Sequence, residues 1–274
     1  MAGAVLKRLF GALRPTEPPA QPLGDRLVFE RQPQAIYAVG DIHGCLDLLL
    51  ELEAQIAADA AELGGEGWLV TLGDGVDRGP ATAQVIDHLR GPAPAGLRRI
   101  NLMGNHEAMM LDFLRRPRAD SLWLRFGGIE ALMSYGVPAD RLERLDNRMA
   151  DQLVHSYIPA EHFDYLAALP LLLDSPAAVF VHAGLRPGAN LDAQLDEDLL
   201  WYRDEFRADF SGFGKPVVHG HTVREAPLVS PYRIAIDTGA VFSGELTAVR
   251  IDGSGPPRLF STPRWAASRK AAML

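Results

Sequence analysis

Short apolar runs alternate with amphipathic stretches along most of the chain. The runs Ile36 to Val39, Trp68 to Leu72, Ile100 to Met103, Val179 to Val181 and Val217 to Val218 are almost continuously apolar, as expected of strands buried on both faces. After the first run, Leu49, Leu52, Ile56 and Ala60 recur at helical spacing between Leu46 and about Leu63, and Gly64-Gly65 closes that stretch. Pro80 opens another helical pattern through Val85, Ile86 and Leu89. Two successive strand-helix units predict an α/β fold built on a parallel sheet with right-handed crossovers.

Between Glu107 and Leu173 the strand pattern vanishes. Helical patterns cover Ala108 to Leu114, Ala139 to Val154 and Ala160 to Leu169, which predicts a helical insertion over 108–173 that caps the site. The break at Gly127-Gly128 places a loop within reach of the cleft. Farther on, Ile234 to Ile236 and Leu246 to Ile251, separated by Asp237-Thr238-Gly239 and Gly244, read as a hairpin that closes a second sheet. The expected organisation is a tail and Pro-rich linker over 1–25, one catalytic domain over 26–260 and a mobile basic tail over 261–274.

The stretch Met1 to Arg14 carries Val5, Leu6, Leu9, Phe10 and Leu13 on one helical face, with Lys7, Arg8 and Arg14 elsewhere. It is too broken by charge for a secretory signal and supports at most a weak interfacial contact. No apolar run approaches the length of a membrane span. The net charge of −8 argues against a nucleic-acid partner, which would call for a basic footprint. Cys45 is the only cysteine, so no internal disulfide forms, and a reducing, cytoplasmic setting is expected.

Each apolar run stops at residues that bind metal or phosphate: Gly40-Asp41-Ile42-His43-Gly44, Gly73-Asp74-Gly75-Val76-Asp77-Arg78-Gly79, Gly104-Asn105-His106-Glu107, His182-Ala183-Gly184 and His219-Gly220-His221-Thr222. Open α/β sheets place their chemistry beyond the carboxyl ends of their strands. Five such blocks in order suit a two-metal phosphoester hydrolase, whose ions sit ~3.5–4 Å apart around a bridging carboxylate. Asp41 and His43 are assigned to one ion, Asp74 to the bridge, and Asn105, His182 and His221 to the other. Carboxylate, amide and imidazole ligands without thiolate suit manganese, iron, cobalt or zinc. A metal-bridging hydroxide would attack phosphorus in line, with no nucleophilic side chain needed.

An alkoxide leaving group also needs a proton donor, and His106 is the candidate acid with Asp77 as its orienting carboxylate. Arg78 is placed on the phosphoryl oxygens together with Asn105 and His106, since a guanidinium binds two phosphate oxygens at once. His219 is expected to support the site or pack. His88, His155 and His162 are expected to be surface or structural residues, Glu107 to anchor a turn, Asp237 to be structural, and Trp123 to line the core or cleft wall.

These blocks resemble the phosphoprotein phosphatase family of metal-dependent serine/threonine phosphatases, within the wider calcineurin-like metallophosphoesterases, and most closely the small bacterial and phage type. The resemblance spans roughly residues 35 to 251 and extends to the segment around Trp201 and Arg203 and to Ile236-Asp237-Thr238-Gly239-Ala240-Val241-Phe242-Ser243-Gly244. It implies a central β-sandwich flanked by helices, two divalent ions with manganese effective in vitro, and a phosphorylated protein or peptide substrate. Arg203 joins the phosphate-binding and catalytic residues mainly on this ground.

The chain also departs from the family pattern. Gly75 replaces a bulkier residue, which would loosen the turn beside Asp74. Ala183-Gly184-Leu185 follows His182 where eukaryotic members have a glycine pair. Val223 replaces a histidine of the wider superfamily. A sister family of diadenosine tetraphosphate hydrolases has Val-Ala-Arg-Gly and Gly-Asn-His-Asp, where this chain has Asp77 and Glu107. A noncatalytic phosphate-binding scaffold is the alternative of a different class.

Overall fold

The computed structural model describes residues 23–138, 147–203 and 209–264. The N-terminal amphipathic stretch, the start of the helix expected from Ala139 and the chain after Arg264 lie outside the described residues. In chain order the strands are β1 (Arg26–Val28), β2 (Ala35–Val39), β3 (Gly67–Thr71), β4 (Leu97–Asn101), β5 (Leu172–Asp174) and β6 (Val179–Val181). They continue with β7 (Val217–His219), β8 (Leu228–Val229), β9 (Arg233–Ala235), β10 (Thr247–Ile251) and β11 (Arg258–Ser261). The helices are α1 (Leu46–Leu63), α2 (Thr82–Arg90), α3 (Asn105–Arg115), α4 (Gly128–Ser134), α5 (Asn147–Tyr157), α6 (Ala160–Ala167), α7 (Asp196–Trp201) and α8 (Ala240–Ser243).

Two mixed sheets form a sandwich, one in the order β11-β10-β2-β3-β4 and the other in the order β1-β5-β6-β7-β9-β8. Because strand residues alternate between faces, Ile36, Ala38, Val70 and Leu72 point between the sheets to meet Phe180, Val218, Ile234 and Ile236. Their neighbours Tyr37, Val39 and Leu69 face outward onto Leu49, Leu52 and Ile56 of α1. The outer face of the other sheet, with Leu172, Val179, Val181 and Val217, is covered by Phe113, Leu132, Val154 and Leu166 from the insertion.

Several expectations are corrected. The segments around Ile234 and Leu246 do not form a hairpin. β9 pairs parallel with β7, while β10 pairs antiparallel with β2 in the other sheet. Ile234 and Ile236 are drawn into the space between sheets, and the free edge of β2 offers β10 its hydrogen bonds; residues 236–246 cross over, tied by Thr238 to Thr247 at 2.8 Å. The sheets are mixed rather than parallel, since β5 runs antiparallel to β6 and β8 to β9. Hydrogen bonds also tie in residues on either side of the 26–260 span. Leu23 N donates to Asp196 at 2.8 Å, and Thr262 accepts from Leu246 N and donates to Gly244 O, both at 2.9 Å. Among the described residues, no helix is long and apolar enough to cross a membrane.

Candidate dinuclear metal centre

All five blocks lie at the carboxyl ends of β2, β3, β4, β6 and β7, so both sheets deliver residues to one edge of the sandwich. Asp74 sits at the middle. Its Oδ2 lies 3.6 Å from His43 Nε2 and 3.9 Å from His106 Nε2, while its Oδ1 lies 3.5 Å from His182 Nε2. On that second side Asn105 Oδ1 is 2.8 Å from His182 Nε2 and 2.9 Å from His221 Nδ1. Two buried groups suited to hold a metal ion result, His43-Asp74-His106 and Asp74-His182-His221, sharing Asp74. Asp41, expected to share an ion with His43, belongs to neither group; both its oxygens accept from the backbone N of His221 at 3.1 Å.

The donor set fits divalent cations. Nδ1 of His43 donates to Val76 O at 2.9 Å and Nδ1 of His182 to Leu72 O at 3.0 Å, which leaves each Nε2 lone pair facing the site. Burial, followed by nearby positive charge, holds His43 and His221 far below the usual imidazole range, and burial lowers His182 as well. The rings are therefore neutral and free to ligate. Burial would raise Asp74, and the histidines around it, His182 first, offset this and favour its carboxylate. Burial and the carboxylates of Asp237 and Asp74 push Asp41 up instead, as expected of a pocket short of positive charge. Arg78 donates to Nε2 of His43 at 2.7 Å and of His106 at 2.8 Å, and Arg203 donates to His221 Nε2 at 3.1 Å.

Among the described residues, five non-glycine residues have left-handed backbones, and all are in these blocks: His43, Asp74, Asp77, Arg78 and His221. The conformation is costly outside glycine, and here every amide is held. His43 N donates to Asp74 O at 2.8 Å, Asp74 N to Glu107 Oε2 at 2.8 Å, and Asp77 N to Thr82 Oγ1 at 2.9 Å. Arg78 N donates to Gly127 O at 3.1 Å, and His221 N to Asp41. Glu107 also accepts from Gly75 N at 2.6 Å, Gly104 N at 2.8 Å and Val76 N at 3.3 Å. The turn at Gly75 is thus fastened rather than loosened, because the backbone amides and not a side chain tie it.

The candidate acid and its orienting carboxylate meet closely. His106 Nδ1 donates to Asp77 Oδ2 at 2.6 Å, which leaves Nε2 toward Asp74 and Arg78. Burial alone would lower His106, but the Asp74 and Asp77 carboxylates more than offset it and raise its pKa above the ordinary imidazole value. A second donor reaches the same oxygen: Trp123 Nε1 lies 2.7 Å from Asp77 Oδ2.

A family model described as calcineurin-like phosphoesterase matches residues 35–234. The chain belongs to the calcineurin-like phosphoesterase family. It is 31% identical over 222 residues to a serine/threonine-protein phosphatase 1 of Salmonella typhimurium, covering 79% of this chain and 91% of that protein. It is 33% identical over 154 residues to a symmetrical bis(5'-nucleosyl)-tetraphosphatase of Yersinia pestis, covering 55% of this chain and 42% of the other. Among solved structures, a candidate diadenosine tetraphosphatase superposes with a TM-score of 0.63 at 21% identity, covering 88% of this chain and 98% of that one, a likeness of fold.

The remaining polar residues of this calcineurin-like phosphoesterase divide clearly. His219 accepts from Arg233 Nε at 2.9 Å, and burial together with that arginine holds its pKa down at about 3. It belongs to neither metal-binding group. Asp237 accepts from Gly239 N at 2.9 Å, so it shapes a turn, but it also lies near Asp74, and burial raises it to about 6. His155 is exposed. His88 lies 2.8 Å from Glu53, and the buried His162 bridges Asp87 and Tyr135 at 2.9 and 2.8 Å, both structural contacts. Trp123 is buried in the core against Phe113, as expected, and adds a contact that the sequence does not show, its Nε1 on Asp77 Oδ2.

Proposed function

We propose that this chain is a metal-dependent serine/threonine protein phosphatase, acting in the cytoplasm on phosphorylated proteins or peptides. The observation that carries this reading is the 2.6 Å contact between His106 and Asp77. A serine alkoxide is a poor leaving group and gains most from a proton donor. The terminal phosphate of a departing nucleotide is a good leaving group and needs none. The acid pair therefore supports cleavage of an alkyl phosphomonoester.

Asp41, His43, Asp74, Asn105, His182 and His221 would hold two divalent ions, manganese among those effective in vitro. When bound, such ions supply an activated water and Lewis acidity at the phosphoryl oxygens. Arg78 and Arg203 clamp those oxygens with charge-assisted hydrogen bonds. With Arg78 turned from His106 Nε2 onto the phosphoryl oxygens, that nitrogen is free to carry a proton, which it passes to the departing serine oxygen while Nδ1–H stays on Asp77. Hydrolysis of diadenosine tetraphosphate is the second reading, favoured by the similarity to the Yersinia enzyme.

Protein stripped of metal and restored with manganese would be assayed for phosphate from a phosphoserine peptide and ADP from diadenosine tetraphosphate. Dominant, metal-dependent peptide turnover is expected. The variant His106→Asn should lose about 10²–10⁴-fold on the peptide and far less on an aryl phosphate, whose phenolate leaves unaided. Dominant ADP formation would move the function to nucleotides, and silence on both would favour a phosphate-binding scaffold.

A further inference from the structure

Trp123 comes from the 3-10 turn Leu122–Phe126 in the helical insertion and reaches across 46 residues to Asp77. Its indole is buried, rests on Phe113 with ring centroids 4.6 Å apart, and lies so close to Gly128 that an added Cβ there would fall 2.5–2.8 Å from ring atoms. The indole is therefore fixed in place and away from the cleft. Its N–H and the His106 Nδ1–H converge on one oxygen of Asp77, while the other oxygen, Oδ1, is buried with no hydrogen-bond partner. A carboxylate held by one donor alone can turn about its Cβ–Cγ bond and carry that donor with it. Two donors from different elements on the same oxygen stop that rotation.

Resting on the reading of His106 as the acid, we propose that Trp123 is a positioning residue for leaving-group protonation: its indole N–H locks Asp77, and Asp77 aims His106 Nε2 into the cleft. The same loop holds Arg78, because Gly127 O accepts from Arg78 N at 3.1 Å. Gly127 has φ 110°, and a Cβ on it would lie 2.5 Å from Arg78 N. The insertion thus sets the position of both the acid and a phosphate-binding arginine, beyond any role as a cover.

The test compares the manganese-loaded wild type with Trp123→Phe, which keeps an aromatic ring and removes the donor. On a phosphoserine peptide kcat should fall about 10–100-fold, the size usual for partners that orient a site residue. On p-nitrophenyl phosphate it should fall about threefold or less, with KM unchanged for both. Gly128→Ala, which presses on the indole without removing it and so tests the contact independently of how Phe packs at 123, should show the same dependence on leaving group. Equal losses on both esters, as a merely structural role would give, or no loss on the peptide overturns the inference. His106→Asn in the same assay separates the two ideas. If it shows the leaving-group dependence and the Trp123 and Gly128 variants do not, only the positioning role falls; if it shows none, the acid assignment falls and the positioning role with it.

Discussion

Removing the Glu107 carboxylate should damage both the fold and the metal centre. In Glu107→Ala the amides of Gly75, Asp74 and Gly104 lose acceptors at 2.6, 2.8 and 2.8 Å, and Val76 N loses a longer one. A buried N–H left unpaired costs about 1–3 kcal/mol, so the three short bonds amount to about 6 kcal/mol. Against this, burial and the neighbouring Asp74 push Glu107 from 4.5 up to about 7, and eliminating that unfavourable charge at pH 8 recovers about 3 kcal/mol. The net loss is about 3 kcal/mol, or about 6–12 °C in Tm for a chain of this size. Calorimetry at pH 8 measures the first effect. Titration of manganese into the stripped protein measures the second, expected as about 10–100-fold weaker binding because Asp74 N is no longer held. A Tm within about 2 °C of wild type together with unchanged manganese affinity would refute the reasoning.

Other consequences are separately measurable. His219 has a folded-state pKa of about 3 against 6.5 for the free group, so the unfolded chain binds the extra proton and stability is lost as pH falls through this interval. Between pH 6.5 and 5 the loss is about 2 kcal/mol, and urea unfolding of His219→Gln should show a slope shallower by that amount; identical slopes would count against a neutral buried His219. Ions that bind only the folded state at 100 times their dissociation constant add about 2.7 kcal/mol, so manganese should raise Tm, and an unmoved Tm would speak against the centre. Glu53 pairs with Arg99 at 2.5 Å, both side chains being 6% exposed. Breaking it in Glu53→Gln should cost about 3–5 kcal/mol, whereas Glu53→Leu with Arg99→Leu should cost less; a double variant as unstable as the single would contradict this.

The candidate ligands were legible in the sequence because each is local to one block and each block ends a buried strand. Apolar continuity marked β2, β3, β6 and β7, and helical spacing marked α1. The partnership of β9 and β10 was not legible, since alternation says that a segment is a strand and not which sheet accepts it. Strands β1, β5, β8 and β11 run two to four residues, too short for a period to register. The Trp123 contact with Asp77 was not legible for another reason: it spans 46 residues, and a buried tryptophan's packing in the core says nothing of where its N–H points.

The blocks look in sequence like a list of ligands, but much of each is the frame that bends the backbone toward them. Asp77 and Arg78 make the point most directly. In extended chain, consecutive side chains diverge to opposite faces. Here both residues are left-handed, with φ of 71° and 64°, and they grip opposite edges of one imidazole: Asp77 takes Nδ1 of His106 and Arg78 takes Nε2. Two left-handed residues cost about 2–4 kcal/mol, offset by Thr82 on one amide and Gly127 on the other. Relieving that strain would let the two side chains separate, and the His106 ring, the proposed acid, would keep only one of its holds.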